Sequence, residues 1–142
     1  MMNRIRILAA TAFLFSTGPA LAEGWLCVAE KATGFKLSPG QGWDYSLFNA
    51  DGKYVITRPE RRSTLFPDTV WIIFELGQQT PSFYCDQDFI EDQLKCTFFR
   101  EFAFNRSALR YTLVQYGDYL MGEETDPEAA TPYLEIGKCS PL

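Results

Sequence analysis

Four cysteines behind an export leader constrain this chain more than any other feature: Cys27, Cys85, Cys96 and Cys139. Residues 1–22 carry Arg4 and Arg6, an apolar run over 7–15, the breaker Gly18-Pro19 and then Ala20-Leu21-Ala22. These are the basic, apolar and Ala-x-Ala parts of a secretory signal peptide. The run is too short to span a bilayer, and Glu23 stands where a lipoprotein needs a cysteine. The expectation is a signal peptide over 1–22, cleavage after Ala22, and one domain over 23–142, periplasmic or secreted. In that oxidising setting an even number of cysteines reads as two disulfides. Three connectivities are open. The spacing favours Cys85–Cys96 as a local hairpin clamp and Cys27–Cys139 as a tie between the first and last segments. Chain-entropy reasoning puts the short loop at roughly 3 kcal/mol and the long one at nearly 5. The absence of a C-x-x-C pair argues against both zinc and a redox-active disulfide.

Between the cysteines, short apolar or alternating runs are separated by turn chemistry, the pattern of antiparallel β structure. Runs over 24–30, 33–37, 43–48, 53–57, 69–76, 83–85, 95–97, 97–104, 109–116 and 133–139 merge into about eight short strands. The fold class is all-β, a single antiparallel barrel or sandwich stapled by two disulfides. Asn49-Ala50-Asp51-Gly52 reads as a hairpin turn between 43–48 and 53–57, because Asp and Gly accept positive φ. Asn105-Arg106-Ser107-Ala108 marks a second hairpin. The stretch 58–67, with Pro59 and Pro67, reads as an exposed loop, and 117–131 as a long connection.

Several chemistries are excluded early. The chain holds no histidine, which removes Ser-His-Asp and Cys-His nucleophiles, histidine-ligated zinc and the commonest base near pH 7. Loss of Arg4 and Arg6 with the leader takes the formal net charge from −5 to −7. An acidic surface without a basic cluster argues against nucleic acid and anionic lipid as partners. Asp86, Asp88, Glu91 and Asp92, enclosed by Cys85 and Cys96, could supply hard oxygen ligands to Ca²⁺. Counted from Asp86 they lack the EF-hand glycine at the sixth place and glutamate at the twelfth, so they read as a solvated loop. Glu123, Glu124, Asp126 and Glu128 form a second acidic run of the same kind. No cofactor and no metal is implied.

Aromatic residues are the surplus: 12 Phe, 7 Tyr and 3 Trp, of which only Phe13 and Phe15 leave with the leader. Some are core, and the remainder would line a pocket or patch. The candidates for facing a ligand are Trp43, Trp71, Phe102 and Tyr111, with Arg100, which shares strand parity with Phe98, Phe102 and Phe104. Arg100 either stacks on a ring or points a cation into a cavity, where an anionic amphiphile would suit it.

Cys27 with Ala32-Thr33-Gly34-Phe35, Trp43, Phe83-x-Cys85, Phe102-x-Phe104-Asn105, Leu109-Arg110-Tyr111 and Tyr116-Gly117-Asp118-Tyr119 lead to an ending Thr131-Pro132-Tyr133-Leu134-Glu135-Ile136-Gly137-Lys138-Cys139-Ser140-Pro141-Leu142. This set, spanning most of the mature chain, resembles a group of small, uncharacterised exported proteins of Gram-negative bacteria. The resemblance implies an exported domain and brings no activity. Gly40-Gln41-Gly42-Trp43 is loosely similar to the glycine and tryptophan motif at the first strand of lipocalin-type barrels, here placed after two strand-like runs. Exported β-barrel inhibitors of lysozyme or alkaline proteases have comparable length and disulfides, but none of their motifs transfers.

The sequence thus points to an exported, non-enzymatic binding domain holding a small apolar or amphiphilic ligand. The alternative is a periplasmic inhibitor or envelope accessory protein that binds another protein through loops such as 58–67.

Overall fold

The computed structural model describes residues 23–38, 40–61, 63–117, 119, 122 and 131–142. The leader expected over 1–22 and the acids Glu123, Glu124, Asp126 and Glu128 lie outside the described residues. The strands are β1 (Gly24–Ser38), β2 (Gly42–Phe48), β3 (Lys53–Thr57), β4 (Trp71–Glu75), β5 (Phe83–Cys85), β6 (Gln93–Phe98), β7 (Arg100–Asn105), β8 (Arg110–Gln115) and β9 (Tyr133–Pro141). Every pairing is antiparallel. Eight strands run in the order β5-β4-β3-β1-β9-β8-β7-β6, and β2 pairs with β1 beside that path. The two end strands, β5 and β6, meet through Cys85–Cys96, giving a nearly closed barrel. Among the described residues no helix is long and apolar enough to cross a membrane.

The two predicted bridges form, Cys27–Cys139 and Cys85–Cys96. They do different jobs. Cys27 and Cys139 are opposite each other in the β1–β9 ladder. The Cys139 amide donates instead to Leu109 O, on the β8 side, so this is a non-hydrogen-bonded pair, where side chains lie closest. Cys85–Cys96 spans the seam between strands that share no ladder. It is a barrel clasp, not the hairpin clamp expected from its short spacing.

Three local expectations are corrected. The runs 24–30 and 33–37 form one long strand, β1, whose register against β9 shifts between Ala29 and Lys31. One extra residue at this bulge changes which side chains face inward. The 49–52 segment is not a hairpin, since β2 and β3 pair with successive stretches of β1 and not with each other. Gly52 is required for space, not φ: a Cβ there would lie 2.5 Å from a carboxylate oxygen of Glu135. The actual turn joins β1 to β2, with Gly40 at φ 75° and Gly42 at φ 81°. Finally, 97–104 is two strands, because the chain reverses at Phe99, held at φ 55°. The hairpin predicted at 105–108 does form: Asn105 Oδ1 accepts from the Ala108 amide at 2.7 Å and caps the β7–β8 turn.

The barrel interior is filled in tiers of rings, as an eight-stranded barrel allows. At one end Trp25 meets Trp71, Phe89 and Phe104 with centroids 5.1–5.6 Å apart. In the middle Phe102 stacks on Tyr111 at 5.0 Å and meets Tyr54 and Phe83. The other end holds Glu135.

Candidate functional site

Two regions stand out, one inside the barrel and one on its wall. Inside, β9 turns Tyr133, Glu135, Gly137 and Cys139 inward. Glu135 is 1% exposed. Tyr111 Oη donates to its Oε1 at 2.7 Å, Tyr133 Oη donates to Oε2, and Tyr54 is the third phenol directed at it. A buried carboxylate is tolerable only when its oxygens are satisfied. Burial first, then the Glu135 charge and hydrogen bond, push all three phenols well above the ordinary tyrosine value. They are protonated donors throughout the physiological range.

At the opposite end, Asp88 accepts from Trp71 Nε1 at 2.8 Å and pairs with Arg58, whose guanidinium lies 4.1 Å above the Trp71 ring. Asp92 pairs with Arg106, which covers Phe89 at 4.8 Å. Hydrogen bonds from Trp71 and Arg106 respectively hold both carboxyls below their ordinary values. Two acids of the loop considered for Ca²⁺ are therefore engaged with arginines that roof an aromatic cluster. Among the described residues no group of three or more acidic, cysteine or histidine side chains is gathered for a metal.

On the outer wall, side chains alternate the other way. Phe35 of β1, Tyr45 of β2, Val114 and Tyr116 at the end of β8, Tyr119 and Leu134 line an open groove of about 480 Å³. None of the described residues lining it is charged. Trp43 lies beside it, edge-on to Tyr119 at 5.9 Å, and its buried indole N–H has no hydrogen-bond partner among the described residues.

The five residues singled out from sequence are not brought together. Trp71, Phe102 and Tyr111 are buried in the interior tiers. Trp43 belongs to the outer wall, and Arg100 places its guanidinium 5.1 Å over the Phe83 ring near the seam. Sequence reasoning missed Glu135, Tyr54 and Tyr133 inside, and Phe35, Tyr45, Tyr116 and Leu134 outside. The signal that could have found them is parity with Cys139: alternation from a disulfide cysteine puts Glu135 inward and Leu134 outward. No protein-family model, curated protein or solved structure matches the chain.

Proposed function

We propose that the chain is an exported, non-enzymatic binding domain, periplasmic or secreted, that lays a small apolar or amphiphilic molecule into the outer-wall groove. One observation carries this reading: an uncharged groove walled by aromatic rings, in which Phe35 and Tyr45 are 50% and 62% exposed. A soluble domain keeps contiguous apolar surface of this kind for a ligand or partner. The interior tiers of packed rings support an outer site over a luminal one. With no cation among the described lining residues to pair with an anion, a neutral head group suits the groove, and the Trp43 N–H, without a partner among the described residues, offers a donor to its acceptor oxygen.

Native mass spectrometry of the protein taken from its own compartment should show added mass that disappears on denaturation. Nile red, a neutral apolar probe, should bind the emptied protein, and Phe35→Ala or Tyr116→Ala should weaken it about tenfold without moving the unfolding midpoint. Unchanged Nile red affinity in both variants would sink the groove reading.

The loop-binding alternative has its own support. Leu65 is 82% exposed on the 58–67 loop, beside a cleft of about 330 Å³ where Phe66 stacks on Tyr84 at 4.2 Å. Leu65→Asp should then abolish capture of an envelope protein while leaving Nile red binding intact.

A further inference from the structure

Barrel strands satisfy each other's backbones, but β2 pairs with β1 alone among the described residues. Its free side can be assigned. The Phe35 amide donates to Pro132 O, so Phe35 points its backbone groups toward β9. Alternation then turns Gly34 and Lys36 toward β2 and their partners Ser46 and Asp44 back toward β1. Trp43, Tyr45 and Leu47 therefore direct their N–H and C=O groups away from the sheet. Two local contacts agree: the Tyr45 amide donates to Asp44 Oδ1 at 2.8 Å, and Leu47 O accepts from Ser46 Oγ at 3.4 Å. Both are contacts with an adjacent residue, made where no neighbouring strand supplies a partner.

We infer that this edge is an interface with a second copy of the chain, joined β2 to β2 antiparallel about a two-fold axis at Tyr45. The edge is self-complementary in that register. Tyr45 pairs with Tyr45 of the second copy, and Trp43 with its Leu47, so all three outward residues of each copy exchange hydrogen bonds. On the outer face aromatic and aliphatic side chains meet, which favours cross-strand pairing. On the other face Asp44 meets Ser46, a carboxylate opposite a hydroxyl, and no like charges oppose each other. A two-fold at Asp44 would set the two Asp44 carboxylates directly opposite each other, and one at Ser46 would put Trp43 opposite Asn49, beyond the end of β2.

The topology leaves room. β2 runs from the 38–42 turn to the 49–52 connection and then into the barrel through β3. Antiparallel pairing lays each turn beside the other copy's connection and sends the two barrels to opposite ends. Tyr45 and Leu47, 62% and 74% exposed, would then lie in one continuous sheet. A long free edge on an exported chain is a hazard unless it is paired or blocked.

Sedimentation of the full disulfide-bonded protein, free of ligand, should show mass moving from one copy to two with concentration. Amide exchange at Trp43, Tyr45 and Leu47 should slow in parallel. Tyr45→Pro removes an outward N–H, which edge strands tolerate, together with the ring that meets its counterpart across the axis, and should raise the dissociation constant about tenfold or more. If that variant misfolds, Leu47→Lys tests the same edge. A single-copy mass up to about 1 mM, or a dimer indifferent to both substitutions, overturns the interface. The groove reading is tested separately through Phe35.

Discussion

Glu135 is the residue on which the barrel's polar interior turns, because its carboxyl group is buried with no ion pair among the described residues. Three phenols take the place of water, and Gly52 leaves the carboxylate its room. Glu135→Gln supplies one acceptor where two were used, so one phenol loses its partner. The expected loss is about 1–3 kcal/mol, read by chemical denaturation at pH 7. Gly52→Ala pushes a methyl into the same carboxylate and should cost about 1–3 kcal/mol. The phenols also set an alkaline limit. Their folded pKa values are raised above the ordinary 10.0. Below pH 10 both folded and unfolded chains keep these protons, and the stabilisation is complete. Above it the unfolded chain loses protons that the folded one retains, so stability falls as pH rises. Denaturation curves from pH 7 to 11 should be flat in this respect up to about 10 and then decline. Tyr133→Phe should flatten the decline, and an unaltered slope would remove the phenols as its cause. This cluster was hidden in the sequence because β9 inverts the usual rule: Leu134 and Ile136, both 41% exposed, face out, while a glutamate faces in. Apolar residues mark a core only on average.

At the scale of elements, the legible features were those with their own local chemistry. The 69–76 run, with Val70-Trp71-Ile72-Ile73-Phe74 at its centre, read as a strand from β-branched and aromatic content, and β4 lies within it. The turn at Asn105 was legible because its side chain makes the turn. The reversal at Phe99 was not, since no Gly, Pro, Asn or Asp marks it. The 49–52 segment misled for the opposite reason, as turn-forming residues there serve a step between two partners of β1. The bulge in β1 was equally silent, and it governs everything after it. Glu30 is the residue passed over as the β1–β9 register shifts from Ala29 to Lys31. Deleting it would set Ala29 and Lys31 side by side against Gly137 and Ile136, so the register runs one-to-one with Lys31 still outward and Ala32 and Gly34 still inward. Such a deletion should keep both disulfides and cooperative unfolding. Glu30→Ala removes only an exposed 2.7 Å ion pair with Lys138 and should cost less than about 1 kcal/mol. Mispaired cysteines in the deletion, read by peptide mapping, would mean that the barrel needs the bulge itself and not only the faces it sets.

For the whole molecule, the two disulfides were legible as a pair, but their different consequences depend on topology. By chain entropy alone, the bond with sequence separation 112 outweighs the one with separation 11, roughly 5 against 3 kcal/mol. The folded state adds a distinction that loop length cannot contain. Cys27–Cys139 lies inside a ladder that already holds β1 to β9 from Trp25 to Gly34, so its removal leaves the native barrel closed. Cys85–Cys96 joins two strands that have no ladder, and near the seam the non-covalent support is ring packing, Phe83 on Phe102, with Arg100 over Phe83. Replacing Cys27 and Cys139 with Ala should therefore lower global stability most while leaving native amide exchange unchanged. Replacing Cys85 and Cys96 should cost less globally but open β5 and β6 locally, speeding their exchange well before the rest of the barrel unfolds. The opened edges would also present unpaired backbone groups, so this variant should be the one that aggregates with time. Hydrogen exchange and denaturation on the two double variants separate the effects. If the seam variant exchanges β5 and β6 only at the global rate, side-chain packing closes the barrel and the bond acts through the unfolded chain alone.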